Sequence, residues 1–103
     1  MHRTKISYLG IRLIEEIGKS GIKVLLILYE HDKLPISEIW RRGVGHTAFY
    51  NALGKLKALG LVEEERIGNT RLIKLTPLGR EVAEYLKIID QKVEMYARAS
   101  LKP

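Results

Sequence analysis

The chain has 103 residues, of which 46% are hydrophobic and 29% are charged, and its formal net charge is +6 at pH 7. This composition excludes a disordered chain and allows one domain with a modest core. The longest apolar run, residues 24–29, is too short to cross a bilayer, and the charged N-terminal stretch does not resemble a signal peptide. We therefore expect no contact with a membrane.

Cysteine is absent from the sequence, so disulfides, thiolate metal sites and cysteine nucleophiles are excluded. No two of the three histidines have a spacing typical of metal ligands, and no local motif for catalysis or phosphate binding occurs. We therefore expect no metal site, no cofactor and no enzymatic activity.

The positive charge is concentrated in the middle of the chain. Residues 35–74 contain seven cations and four anions, whereas residues 75–103 contain five and four. This imbalance favours a polyanionic partner, of which nucleic acid is the simplest. The alternative is a thermophile-like surface, because Lys, Arg, Glu and Ile abound while Asn and Gln are few.

The first third of the chain predicts two helices that meet near Gly18. Ser20 can cap the second helix, and the apolar residues 22–29 are interpreted as a core helix rather than a buried strand. Leu34 precedes a proline, which favours an extended backbone there. The first helix is predicted from an apolar stripe at helical spacing that contains Ile6, Leu9, Leu13, Ile14 and Ile17.

A short helix and a glycine turn are predicted next. Ser37 is a suitable N-cap for the short helix, and Glu38 suits its first turn. Trp40 within it is interpreted as a core or interface residue rather than a stacking platform. Arg41 and Arg42 end the helix, where they can cap it or bind phosphate. The turn follows at residues 43–45.

Residues 46–59 predict an amphipathic helix that ends at Gly60. Its apolar positions are Phe49, Ala52, Leu53, Leu56 and Leu59. The opposite face carries no carboxylate and consists of Thr47, Tyr50, Asn51, Lys55 and Lys57. Hydroxyl, amide and ammonium groups can bind phosphates and base edges, so this face is a candidate DNA-reading surface. The alternative is an ordinary solvated helix face.

A β-hairpin is predicted after this helix, although three successive glutamates favour a helix by propensity. The turn signal Gly68-Asn69 follows the apolar pair Leu61-Val62. This turn places Glu63 opposite Lys74 and directs Ile73 and Leu75 inward. The hairpin tip contains polar and cationic residues that suit a narrow minor groove, although a plain polar turn looks the same; they are Arg66, Asn69, Thr70 and Arg71.

Thr76-Pro77 predicts the start of the last helix, with a hydroxyl cap followed by proline. Apolar residues then recur at spacings of four and three, which is typical of a coiled-coil seam. A second copy of the chain is the expected partner of this seam. The alternative is that the N-terminal helix covers it within one monomer. The seam residues are Val82, Leu86, Ile89, Val93 and Tyr96.

This order of elements resembles a winged helix-turn-helix domain over roughly residues 20–90. The resemblance is carried by residues 37–39, 48–50 and 60–62, by Leu53 and Leu56, and by the segment LTPLGR at 75–80. The Leu-Thr-x-x-Gly-Arg ending is similar to regulators of the MarR and PadR groups, and Tyr50 is more PadR-like. The resemblance implies a mainly α fold with a small β-hairpin wing and with N- and C-terminal helices that dimerise.

These observations predict a homodimeric transcription regulator, most simply a repressor, that binds double-stranded DNA in the nucleoid of the cytoplasm. Helix 46–59 is expected to read the major groove, and wing 66–71 to touch adjacent DNA. The whole chain 1–103 is one domain, with a core at 20–76 and a dimerisation helix at 77–100. The residues expected to bind DNA are Arg41, Arg42, His46, Thr47, Tyr50, Asn51, Lys55, Arg66, Asn69, Thr70 and Arg71.

Two alternative functions are compatible with the sequence. One is an architectural DNA-binding protein with little sequence preference, and the other is a winged helix that binds other proteins. A small-molecule effector pocket is compatible with the fold, but no residue identifies a ligand. Within the DNA surface, Asn51 is expected to read a base, because Asn can pair with adenine, and Arg71 is expected to bind DNA of any sequence.

Overall fold

The computed structural model describes the backbone of residues 9–101 and the side chains of residues 14–101. Its elements are α1 (Leu9–Tyr29), β1 (Lys33–Pro35), α2 (Ile36–Arg41), α3 (His46–Ala58), β2 (Val62–Ile67), β3 (Thr70–Leu75) and α4 (Pro77–Leu101). The fold is mainly helical with a small antiparallel sheet, which confirms the predicted class. None of the helices in this part of the chain is long and apolar enough to span a membrane.

Gly18 divides α1 into two segments, as the sequence predicted. Its backbone has φ 66° and ψ −175°, a conformation that L side chains rarely adopt. Ile17 before the break is buried, whereas Ile14 is exposed. The predicted stripe also included Ile6, Leu9 and Leu13, whose side chains lie outside the described residues. The second segment is a core helix that buries Val24, Leu25 and Leu28.

The sheet has the strand order β1–β3–β2, and both strand pairs are antiparallel. The hairpin turns at Gly68, and the register places Glu63 opposite Lys74, as predicted. The ammonium of Lys74 nevertheless lies nearer Glu65, with an N–O distance of 3.8 Å. Strand β1 pairs with β3 by placing Leu34 opposite Ile73. The sequence predicted an extended backbone there but not this pairing.

The prediction that Ser37 caps the short helix is wrong. Helix α2 begins at Ile36, its N-cap is Pro35, and no side chain caps it. The physical reason is burial: Ile36 is packed into the core directly after β1, while Ser37 stays exposed. At the other end Gly43 turns the chain at φ 100°, and Val44 is buried in the turn. These residues join α2 to α3.

The core lies between α1, α3 and the inner face of the sheet. Phe49 and Leu56 of α3 are fully buried, and so are Ile39 of α2 and Ile73 of β3. Leu59 was predicted on the apolar face of α3, but it is 40% exposed. It occupies the C-cap position, where the helix ends and the chain turns away from the core. The rest of the predicted apolar face of α3 is buried.

The end of α3 and the start of α4 are tied together by the hydrogen bonds that Thr76 donates to Gly60 O and Leu61 O. Leu61 N–H donates to Leu56 O, and Gly60 N–H donates to Lys57 O, which is a Schellman motif. The hydroxyl of Thr76 accepts a bond of 2.9 Å from Gly79 N–H, so Thr76 caps α4 as predicted. That hydroxyl also donates to Gly60 O at 2.5 Å. The start of α4 is therefore fixed against the turn that follows α3.

Candidate nucleic-acid interface

The polar face of α3 is exposed along its whole length. Thr47, Asn51 and Lys55 are spaced four residues apart, so they form one strip on the helix surface. Tyr50 lies beside this strip, on the flank of α3 that faces the wing, and is 44% exposed. Helix α3 itself contains no carboxylate. A phosphate or a base edge can therefore approach the helix without being repelled by a carboxylate on that helix.

The two arginines that end α2 share one carboxylate. Glu38 accepts a hydrogen bond of 2.8 Å from Arg41 and one of 2.9 Å from Arg42. These ion pairs lie at i,i+3 and i,i+4 spacing on the helix surface. The side chain of Arg41 remains 72% exposed, so its guanidinium has donors accessible to a phosphate. Both predicted roles of this pair, capping and phosphate binding, are compatible with the geometry.

Trp40 joins α2 to the start of α3. Its ring lies against the tilted ring of His46, with a centroid separation of 3.8 Å and an interplanar angle of 34°, and meets Phe49 and Tyr50 edge-on. The indole is partly buried against the hydrophobic core, as expected of a core or interface residue. Its Nε1 is buried and has no hydrogen-bond partner among the described residues. His46 is thereby held against Trp40 at the first position of α3.

The wing turns one face of its hairpin towards α3. Strand alternation and register put Glu64 and Arg71 on the same face as the buried Val62 and Ile73. Glu64 accepts hydrogen bonds from Arg71 Nε, from Arg71 Nη2 at 3.0 Å, and from Lys57 Nζ of α3 at 2.8 Å. The Arg71 guanidinium carbon lies 5.9 Å from the ring centre of Tyr50. One ion pair, Lys57–Glu64, and one cation–π contact, Arg71–Tyr50, therefore connect the wing to α3, and the Arg71–Glu64 pair links them within the wing.

These contacts lower the pKa of the Glu64 carboxyl from 4.5 to about 2, chiefly through the hydrogen bonds from Arg71 and then from Lys57. A carboxyl whose pKa is depressed by folding stabilises the protein above its unfolded pKa. That contribution is lost as the pH falls through its pKa in the folded state.

We therefore expect wild-type protein to be more stable than Glu64→Gln at neutral pH. The difference should shrink as the pH falls from 4.5 to about 2, because protonation of Glu64 then removes the same charge. Urea unfolding of the wild-type protein and of Glu64→Gln at several pH values measures this difference in stability. A difference that stays constant across this interval would contradict the assignment.

The exposed tip of the wing carries a different set of residues from the junction with α3. Arg66, Asn69 and Thr70 are exposed, and Arg66 makes no ion pair within the described residues.

Arg71 was predicted as a tip residue, but its guanidinium is held at the junction between the wing and α3. Sequence reasoning missed the part that Glu64 plays there, although strand alternation already separates it from Glu63 and Glu65. An open groove of about 310 Å³ lies between α2, α3 and the tip.

The predicted seam on α4 divides into two parts. Val82 and Leu86 are partly buried against the core of the same chain. Ile89, Val93 and Tyr96 are 56%, 62% and 74% exposed. The chain's own core therefore covers the first two positions of the seam. The outer positions are not covered by any residue that the structure describes.

No family model matches the sequence, and no curated protein matches it. The structure is similar to that of a MarR-family transcriptional regulator from Silicibacter pomeroyi, with 25% identity and a TM-score of 0.74 over 95% of this chain and 72% of that one. A second similar structure is an archaeal protein, reported as a mechanosensitive channel and described as a structural homologue of MarR-like transcriptional regulators. It has 23% identity and a TM-score of 0.74 over 84% of this chain and 77% of its own.

A third similar structure is a mutant of ZitR from Lactococcus lactis, with 21% identity and a TM-score of 0.68 over 95% of this chain and 79% of that one. These likenesses extend over 84% to 95% of this chain. The protein therefore has the winged-helix fold of MarR-like transcriptional regulators, as its sequence predicted. The more specific likeness to PadR regulators stays a prediction.

Proposed function

We propose that this protein is a homodimeric transcription regulator that binds double-stranded DNA and represses by occupying its operator. The observation that carries the proposal is the exposed face of α3, which combines Thr47, Asn51 and Lys55 with no carboxylate on the helix. Helix α3 enters the major groove, where amide and hydroxyl groups can distinguish base pairs. The likeness to MarR-like regulators supports the same function. A cytoplasmic location in the nucleoid follows from it.

Three arginines outside α3, Arg41, Arg42 and Arg66, are assigned to the DNA backbone. Arg41 and Arg42 lie at the end of α2, just before the turn that leads into α3. Arg66 with Asn69 and Thr70 at the wing tip touches DNA beside the groove that α3 occupies. Contacts of this kind fix the position of a protein on DNA but carry little sequence information. They also make binding depend strongly on salt concentration.

Dimerisation is assigned to α4. From Ile88 to Leu101 every residue of this helix is exposed. At 1.5 Å per residue this portion extends about 20 Å beyond the core. Its exposed apolar residues would bury a continuous surface against a second copy. Two copies would then present two α3 helices to two half-sites of a palindromic operator. The residues proposed for this contact are Ile89, Val93 and Tyr96, next to Val82 and Leu86.

The proposal is tested by selecting genomic DNA fragments with the purified protein and sequencing them. We expect one enriched motif with two-fold symmetry. Uniform recovery of fragments would instead indicate an architectural role, and failure to retain DNA would exclude both.

On the cognate duplex that this selection identifies, Asn51→Ala should cost about 1–3 kcal/mol of binding free energy and relax the base preference at one position. Arg66→Ala should weaken cognate and scrambled duplexes equally and make the salt dependence shallower. Fluorescence anisotropy at several salt concentrations measures both. If Arg66→Ala abolished the cognate preference while Asn51→Ala had no effect, α3 would not be the reading element.

A further inference from the structure

Glu64 differs from the other carboxylates of the wing in the face of the sheet that it occupies. Glu63 and Glu65 lie on the opposite face of β2, where Glu65 contacts Lys33 and Lys74. The side chain of Glu64 is only 17% exposed and bonds two cations from two different elements. It therefore connects the wing to α3, which Glu63 and Glu65 do not.

The contacts around Glu64 hold the wing against α3 at two positions along the helix axis. Tyr50 and Lys57 are seven residues apart on the same flank of α3, a distance of about 10 Å along the helix axis. Arg71 lies over Tyr50 while Glu64 accepts from Lys57. Because the two wing residues also bond one another, a sliding or tilting wing would break at least one of these contacts.

We infer that Glu64 is a positioning residue that sets the DNA specificity of this protein. It fixes the wing relative to the reading helix and withholds Lys57 and Arg71 from indiscriminate contact with phosphate. This inference rests on the proposed function, because it concerns how the same surface discriminates between DNA sequences.

The chemistry of the guanidinium explains how this works. Glu64 engages Nε and Nη2 of Arg71, and an arginine has five N–H donors in a rigid planar arrangement. The donors that remain can bind a phosphate only where the fixed guanidinium plane allows it. A correctly docked duplex meets that geometry, whereas a duplex at an arbitrary register must first displace Glu64.

Glu64→Gln tests the inference, because it keeps the size of the side chain and removes its charge. We expect the affinity for scrambled DNA to rise by about threefold to tenfold, because Lys57 and Arg71 can then follow phosphates freely. The slope of log affinity against log salt should become steeper by about one. Affinity for the cognate duplex should stay unchanged, so the ratio of cognate to scrambled affinity should fall by about threefold to tenfold.

The matched control is Glu63→Gln, which makes the same charge change on the opposite face of the same strand. It should raise both affinities slightly and leave their ratio unchanged. If Glu64→Gln and Glu63→Gln gave the same ratio of cognate to scrambled affinity and the same salt slope, that result would reject the positioning role of Glu64 without contradicting DNA binding. A wild-type protein that bound neither duplex would reject the proposed function itself.

A second variant separates positioning from folding. Glu64→Asp retains the charge but is too short to reach both cations. It should lower the ratio of cognate to scrambled affinity while leaving the salt slope at the wild-type value. If Glu64→Gln failed to fold, this variant would decide the question alone, and a wild-type ratio would overturn the inference.

Discussion

Ile89→Glu should yield a monomer and lower the affinity for a two-half-site operator by about 10²-fold or more. Ile89 is 56% exposed on α4, beyond the part of the helix that packs on its own core. A buried glutamate in a helix–helix contact would be desolvated without a partner, which strongly disfavours association. Once the copies separate, each half-site is bound independently and the gain from linkage disappears. Leu86 is a poorer target, because it also packs on its own core.

Gln91→Glu is the matched control for this variant. It adds the same charge to the same exposed helix, about half a turn away from Ile89. Light scattering should show a dimer for wild type and for Gln91→Glu, and a monomer for Ile89→Glu. Wild-type protein that is monomeric at micromolar concentration would refute the assignment of α4 as the dimerisation element.

Gly79→Ala should destabilise the fold by about 3 kcal/mol. A Cβ added at Gly79 would overlap the carbonyl oxygen of Leu61 and lie 2.7 Å from its carbonyl carbon. These are backbone atoms, so no side-chain rotation can relieve the overlap. The start of α4 would have to move away from the turn after α3, which breaks the bonds from Thr76.

Gly54→Ala provides the opposite case within the same protein. Gly54 lies inside α3, and a Cβ there would meet nothing within 4 Å. Alanine should therefore stabilise the protein by about 0.5–1 kcal/mol, because it favours the helix over the unfolded chain. Urea unfolding of the two variants measures both effects. If Gly79→Ala unfolded at the wild-type midpoint, the close packing of α4 on Leu61 would be wrong.

The parts of the fold that sequence predicted well have strong local signals. Thr76-Pro77 specifies a helix start through the bonding capacity of two neighbouring residues, and the structure shows that cap. Gly68 supplies the positive φ that the hairpin turn requires. The three glutamates of β2 favour a helix locally, but the pairing with β3 prevails. Ser37 was misassigned because burial of Ile36, a tertiary effect, starts α2 two residues earlier than a cap at Ser37 would.

The candidate site was predictable only within single elements. Helical periodicity alone places Thr47, Asn51 and Lys55 on one exposed strip. The ion pairs of Glu64 join β2 to α3 and β3, and their formation depends on how the hairpin packs on the helix. Periodicity gives the face of a strand but not the residue of another element that lies opposite it. For the same reason the sequence suggested a free Arg71 at the wing tip.

The close contact of His46 with Trp40 gives this protein an intrinsic optical reporter. Trp40 is the only tryptophan in the chain, so its emission comes from one place in the fold. Its ring lies 3.8 Å from His46 and near Tyr50, both on the helix proposed to enter DNA. A duplex that docks on α3 changes the surroundings of this indole directly. Binding can therefore be followed by fluorescence of the unlabelled protein, without a dye on either partner.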